Sequence, residues 1–302
     1  MAMAGDADPF QTTGPTGLRH DLLPMRLYHK AKRDGIWDPR DIDLRQDARD
    51  WQRLEEDHQE GLLRLTAMFQ AGEEGVTREL LPLIMAVEAD GYLEETIYLA
   101  TFHWEEAKHT EFFRRFLDEV CVERGDLTRF HTPSYRRIFY EELPGAMDAL
   151  RADSSLVTQA RAAVTYNMIV EGVLAESGYH VYFTVTERMG ILPGLREGLT
   201  KVRQDESRHI AYGLYLLSRL IAADPAVWPA VESHMTRLAE IALGMLTELL
   251  PQDDESDGRL IPVAPDEFAS FTMNQIQRRY ARLASARDQS EADVEQTASE
   301  DD

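Results

Sequence analysis

Apolar residues recur at helical spacing along nearly the whole chain, and no segment of useful length alternates with the period of a strand. Leu62, Leu65, Met68, Phe69 and Val76 follow one helical face. They predict a helix from about Asp47 to about Asp90, kinked or divided at Pro82, which lacks the backbone donor a helix interior needs. A second helix runs from about Tyr92 to Val122 and stops before Gly125. Residues 124–155 carry two prolines and two glycines among aromatics, which predicts short helices. A third helix spans about Leu156 to Arg188, and "MGILPG" breaks it. A fourth spans about Leu195 to Ala222, and "ADPAVWP" starts a fifth that reaches Leu250. A loop follows, then a last helix from about Pro265 to Ala286. Ahead of these helices, Leu22, Leu23, Leu27 and Trp37 belong to an irregular segment expected to wrap the bundle. The expected organisation is one helical domain over residues 18–286. It is flanked by a disordered Gly/Pro-rich N-terminus (1–17) and a solvated acidic tail (287–302).

Composition narrows the function. The 302 residues are 43% hydrophobic, enough for a large core, and carry a net charge of −22. Such a surface repels nucleic acid and anionic membranes, so neither is an expected partner. The N-terminal residues have no basic-then-apolar signal pattern. No uncharged apolar run reaches the ~18 residues of a spanning helix. The single cysteine, Cys121, has no internal disulfide partner, which fits a reducing cytoplasm, and reads as a half-buried small hydrophobe.

The chemistry lies in a spacing. With 29 Glu and 9 His, chance supplies roughly one Glu-x-x-His match, yet there are three: Glu55/His58, Glu106/His109 and Glu206/His209. Positions three apart share a helix face. Two of the matches have company. Glu73, in "FQAGEEGVT", precedes Glu106 by 33 residues, and Glu171, in "YNMIVEGVLAESGY", precedes Glu206 by 35. Glu followed by Glu-x-x-His, twice over, is the pattern of di-metal carboxylate four-helix bundles. Glu55/His58 lies roughly 27 Å from Glu73 along a helix and is assigned to the surface. Four buried carboxylates would repel one another unless two cations neutralised them. Mixed N/O ligation suits manganese, iron or zinc, with redox-active iron or manganese preferred. Asp205 reads equally well as an orienter of a ligand histidine on another helix or as a surface acid paired with Arg208. Tyr179, eight residues after Glu171, is a candidate to line the site, although a core tyrosine is the plainer reading.

These residues, with "EEAKHTEFF", "RRIFYEELP", "VTYNMIVEG", "ILPG" and "DESRH", resemble the ribonucleotide reductase small-subunit-like ligand-binding oxidases. The likeness runs from about "WDPRDIDL" to "RRYARLASAR". It implies an all-α, ferritin-like four-helix bundle with additional helices, assembled as a homodimer. It also implies manganese on Glu73, Glu106 and His109, and iron on Glu171, Glu206 and His209. A long-chain fatty acid bridges the metals, dioxygen is the co-substrate, and a tyrosine–valine ether links the positions matching Val76 and Tyr166. Helix geometry places Val76 on the face of Glu73. Tyr166, five residues before Glu171, lies roughly 140° round an ideal α-helix and points to a neighbouring helix unless a π-bulge shifts it.

Two other functions compete. A ribonucleotide reductase small subunit usually has a radical tyrosine four residues after the first histidine, where this chain has Phe113. It also needs a redox tyrosine in its C-terminal tail, and no aromatic residue follows Tyr280. A metal-containing lipid carrier would hold the same ligand without oxidising anything.

Overall fold

The computed structural model describes residues 17–249 and 265–300. Among them there is no strand, and no helix is long and apolar enough to cross a membrane. Thirteen α-helices are described: α1 (Leu23–Asp34), α2 (Arg45–Trp51), α3 (Glu56–Glu79), α4 (Leu81–Ala89), α5 (Leu93–Phe116), α6 (Pro133–Arg136), α7 (Leu143–Ala152), α8 (Leu156–Ala163), α9 (Glu176–Met189), α10 (Pro193–Ala223), α11 (Val227–Leu249), α12 (Pro265–Ser285) and α13 (Glu291–Glu300). A π-helical stretch, Val164–Ala175, joins α8 to α9 without a break. The four-helix core consists of α3, α5, α10 and the composite α8–π–α9, and the protein is an all-α, ferritin-like bundle with additional helices.

The expected first helix is three. Its start breaks after Trp51, and at Leu80 it divides into α3 and α4, with Pro82 in the first turn of α4. There the ring displaces no helical hydrogen bond, so proline marks a junction. "MGILPG" breaks the chain as expected. Gly190 (φ 67) caps α9 in the left-handed region, and Leu192 (φ 54) turns the chain into Pro193. The first turn of α10 is held from α2: the buried Asp47 accepts from Gly194 N at 2.9 Å and Leu195 N at 2.7 Å. A carboxylate at a helix N-terminus satisfies orphan donors and meets the positive end of the dipole.

The acidic tail departs from expectation. Residues 286–288 form a 3-10 turn and α13 follows, with Val294 buried against the core and Glu295 bonded to Arg19 at 3.0 Å. Val294 and the Glu295–Arg19 pair tie this charged helix to the bundle, which the overall acidity hides. The first sixteen residues and the loop expected after Leu250 lie outside the described residues.

Two apolar layers stack along the bundle. One contains Tyr98, Phe102, Tyr166 and Leu216. The other contains Trp37, Phe112, Phe113, Tyr182 and Leu195. His109 sits between Phe102 and Phe112 on α5, so the polar residues of the core form a band between the two layers.

Candidate metal centre

Six side chains from four elements meet in that band. Glu73 comes from α3, Glu106 and His109 from α5, Glu171 from the π-helical stretch, and Glu206 and His209 from α10. They form two overlapping clusters, Glu73–Glu106–His109–Glu206 and Glu106–Glu171–Glu206–His209. Within each, one ligand atom per residue lies within 4.8 Å of the others, and every member is buried. His109 Nδ1 stands 3.7 Å from Glu73, 3.8 Å from Glu106 and 3.5 Å from Glu206. His209 Nδ1 stands 3.1 Å from Glu106 and 3.6 Å from both Glu171 and Glu206. Glu55 is exposed at the start of α3, and neither it nor His58 enters the buried cluster.

The inward-facing atoms have no hydrogen-bond partner: Glu73 Oε2, both oxygens of Glu106, Glu171 Oε1, Glu206 Oε2, and Nδ1 of both histidines. Buried polar atoms left this way are costly, and seven of them converging define a place for cations. The electrostatics agree. Burial, reinforced by the charges of Glu106 and Glu206, pushes Glu73 up to about 8. Burial and the Glu206 charge push Glu171 well above its ordinary value. Burial alone would lower His109 and His209, but the surrounding carboxylates hold both well above theirs. Burial would likewise raise Glu206, yet the two histidines beside its carboxylate, 3.5 and 3.6 Å away, bring it down to about 2. The cluster thus favours added positive charge, whether as protons or as cations.

The outer ring is crossed. Asp205 on α10 meets His109 Nε2 at 3.2 Å, while Glu105 on α5 meets His209 Nε2 at 2.9 Å. Each imidazole is therefore braced by the helix that carries the other one, which leaves both Nδ1 atoms facing inward. Arg208 Nη2 donates to Glu105 and to Asp205, each at 2.5 Å. Lys108 Nζ (3.0 Å) and the Trp37 indole (2.8 Å) complete the shell of Asp205. Asp205 thus both orients a histidine and pairs with Arg208, buried and not at the surface. The equivalent role of Glu105 was missed, although "EEAKH" and "DESRH" share the pattern acid-Glu-x-base-His. Asn167, also missed, donates to Glu171 Oε2 at 2.9 Å.

Tyr179 is buried, stacks on Phe69, and places its hydroxyl 3.4 Å from Glu206 Oε1. Phe113 packs against Phe69 and offers no phenol near the cluster. Tyr166 is buried and donates to the backbone oxygen of Val76 at 3.1 Å. The π-helix makes this possible: hydrogen bonds to the fifth residue bring positions five apart close to one face.

Glu73, Glu171 and Glu206 also line the inner end of an apolar channel whose walls include Met68, Phe69, Gly72, Val76, Phe139 and Leu174, with Arg64, Leu249 and Phe268 among its other lining residues. The channel has a volume of about 90 Å³.

A model of the ribonucleotide reductase small-chain family matches residues 25–276, which span all four elements that carry the cluster. An R2-like ligand-binding oxidase from Sulfolobus acidocaldarius, solved by 3D micro-crystal electron diffraction, superposes with a TM-score of 0.85 at 36% identity, covering 95% of this chain and 98% of that one. An R2-like ligand-binding oxidase with a tyrosine-to-phenylalanine change and an anaerobically reconstituted Mn/Fe cofactor gives 0.85 at 36% identity, over 91% and 98%. A valine-to-alanine form with the same cofactor gives 0.85 at 37% identity over the same shares. The chain belongs to the R2-like ligand-binding oxidases of the ribonucleotide reductase small-chain family. Its buried, partnerless carboxylate and imidazole atoms fit the Mn/Fe cofactor that the two reconstituted forms carry.

Proposed function

We propose that this protein activates dioxygen at a manganese/iron pair, holds a long-chain fatty acid beside it, and joins its own Tyr166 to Val76 through an ether. Manganese is assigned to Glu73, Glu106 and His109, and iron to Glu171, Glu206 and His209. When bound, the metals supply the redox chemistry that dioxygen reduction needs.

The observation that carries this reading is the Tyr166–Val76 pair: a buried phenol 3.1 Å from the backbone of a buried valine one helical turn beyond Glu73. Joining the phenolic oxygen to Val76 Cβ breaks one O–H and one C–H bond. Two protons and two electrons leave, with dioxygen as their acceptor. Burial, with the nearby carboxylates, raises Tyr166 well above the usual phenol range, so the residue enters this step neutral. Its acceptor is an amide carbonyl, a poor base, which favours loss of a hydrogen atom over simple ionisation. Valine supplies a tertiary Cβ–H, and the apolar layers exclude water from it.

The channel supports the fatty acid. Its inner end offers the cluster a carboxylate ligand, and its wall suits an alkyl chain. At roughly 10–15 Å³ per water-sized group, it encloses on the order of six to nine such groups, so a long chain would extend out through the mouth. The reading includes a homodimer, for which the exposed Leu81, Met85 and Leu93 supply apolar surface.

The test is tryptic mass mapping after metal loading with and without oxygen, together with mass spectrometry of extracted lipid. Aerobic loading should yield one joined Val76–Tyr166 peptide, two hydrogens lighter than the sum. Anaerobic loading and Tyr166→Phe should leave the peptides separate with metals retained. Separate peptides after aerobic loading of the unaltered chain would refute the oxidative role.

A further inference from the structure

The apolar layer beside the metal cluster holds a line of rings that the proposed chemistry does not use. Phe102 stacks on His209 with centroids 3.7 Å apart, Tyr98 lies 6.1 Å from Phe102, and Tyr212 lies 5.1 Å from Tyr98. Tyr166 meets the same Phe102 edge-on at 5.9 Å, so the line touches both the cluster and the crosslinking tyrosine. All of these rings are fully buried. We infer that Tyr212 is an oxidisable site at the far end of this line, giving up an electron through Tyr98 and Phe102 and its phenolic proton to Glu95.

The proton acceptor singles Tyr212 out. A buried phenol that lost an electron and kept its proton would be an unpaired buried cation, which is costly. Of the fully buried tyrosines, Tyr135 and Tyr166 donate to the backbone oxygens of Met68 and Val76, Tyr182 donates to the Thr66 hydroxyl, and the Tyr98 hydroxyl has no partner. Tyr179 faces Glu206, a member of the metal cluster. Tyr212 donates to Glu95 Oε2 at 2.8 Å, a carboxylate outside the cluster. Tyr98, without an acceptor, can pass an electron along but is a poor resting place for the hole.

Glu95 is prepared for the proton. Burial holds its carboxyl above the ordinary value, against the opposing pull of Arg219 and Tyr212. Arg219 Nε pairs with Glu95 Oε1 at 3.0 Å, and its guanidinium lies 3.8 Å over the Tyr92 ring. When Glu95 becomes neutral, the Arg219 charge keeps the face of that ring.

The step rests on the proposed dioxygen chemistry, and its electrons balance. Dioxygen takes up four electrons on the way to water. Two divalent metals becoming trivalent supply two, and the ether supplies the other two. Where the ether is not made, two electrons are missing, and Tyr212 supplies the first. Its O–H bond breaks, the Glu95 carboxylate becomes a carboxylic acid, the electron goes to the dioxygen-oxidised centre, and a neutral tyrosyl radical remains away from the metal ligands.

Tyr166→Phe protein removes the competing bond. The full chain is loaded with manganese and iron without oxygen, exposed to oxygen, frozen rapidly and read by electron paramagnetic resonance, with X-ray absorption reporting the metal oxidation states. A radical should appear, and its spectrum should narrow when the protein carries ring-deuterated tyrosine, as a metal signal would not. Adding Tyr212→Phe, which removes one hydroxyl, should abolish it. Adding Glu95→Gln should lower it about tenfold or more, the scale of one lost charge-assisted hydrogen bond. Adding Tyr179→Phe should leave it in place. A radical that survives Tyr212→Phe, or that Tyr179→Phe removes, overturns the inference, and the first of these decides the matter should the Glu95→Gln chain not fold. Trivalent metals without a tyrosyl radical, or metals that stay divalent in the Tyr166→Phe protein, overturn it alone; metals that stay divalent in the unaltered chain overturn the proposed function as well.

Discussion

Glu105→Gln probes the crossed bracing of the two histidines with little change of shape. The wild-type carboxylate accepts from two donors at once, His209 Nε2 at 2.9 Å through one oxygen and Arg208 Nη2 at 2.5 Å through the other. Glutamine has one acceptor end and one donor end. If its oxygen faces His209, its NH₂ meets Arg208, and the reverse orientation strands the imidazole. Either way one buried donor loses its acceptor, which costs about 1–3 kcal/mol. Loss of an outer partner of a ligand histidine independently suggests about 10- to 100-fold in metal affinity. That is about 1.4–2.7 kcal/mol, so the two routes agree. The loss should fall mainly on the metal held with Glu171 and His209, since His109 keeps Asp205. Competition with a chromophoric chelator under anaerobic conditions gives the affinity, and anomalous scattering at the two absorption edges gives occupancy by position. Asp205→Asn should mirror the result at the other position, and Glu74→Gln on α3 should do nothing. Unchanged occupancy, or equal loss at both positions, would refute the crossed assignment.

Three further outcomes are expected. Because Glu73 sits up at about 8 and both histidines are held protonated by their neighbours, metal entry at pH 7 should release protons and uptake should weaken as pH falls; a pH-stat trace without proton release contradicts this. Gly178→Ala puts a methyl 2.4 Å from the Phe69 ring, which is already stacked on Phe113 and Tyr179, so overpacking should cost about 1–3 kcal/mol and lower the melting temperature by several degrees; an unchanged melting curve would show that Phe69 is free to move. Asp47→Ala strips the acceptor from two backbone donors at the start of α10 and should cost about 1–2 kcal/mol in urea denaturation, with metal stoichiometry retained in the folded fraction.

The sequence was most legible where periodicity and chemistry coincided. Glu106/His109 and Glu206/His209 lie on regular helices, so their three-residue interval translated directly into a shared face. Tyr166 was harder, because an α-helical wheel turns it away from Glu171, and the π-helix that brings it to Val76 has no marker in "VTYNMIVEG". Glu105 was visible in principle, in the acid that precedes each Glu-x-x-His, but its partner is on another helix and only packing identifies it. The docking of α13 was hidden by composition. Its acidic surface reads as solvated, while one buried valine and an ion pair to Arg19 decide its place.

The crossed contacts have the form of an isologous interface, in which residue i meets j and j meets i. Asp205 with His109 repeats as Glu105 with His209, and Glu206 near His109 repeats as Glu106 near His209. The centre thus has a local two-fold pseudosymmetry within one chain. Both metal positions then present the same ligand types, and donor identity cannot tell manganese from iron. Discrimination must come from the places where the symmetry breaks. Four residues before Glu171, Asn167 donates to that carboxylate, while four before Glu73 stands Phe69, which donates nothing. Three residues after His209 comes Tyr212, and three after His109 comes Phe112. Exchanging residues across the pseudo-axis, Asn167 for phenylalanine and Phe69 for asparagine, is therefore the direct way to ask this protein why its two halves would prefer different metals.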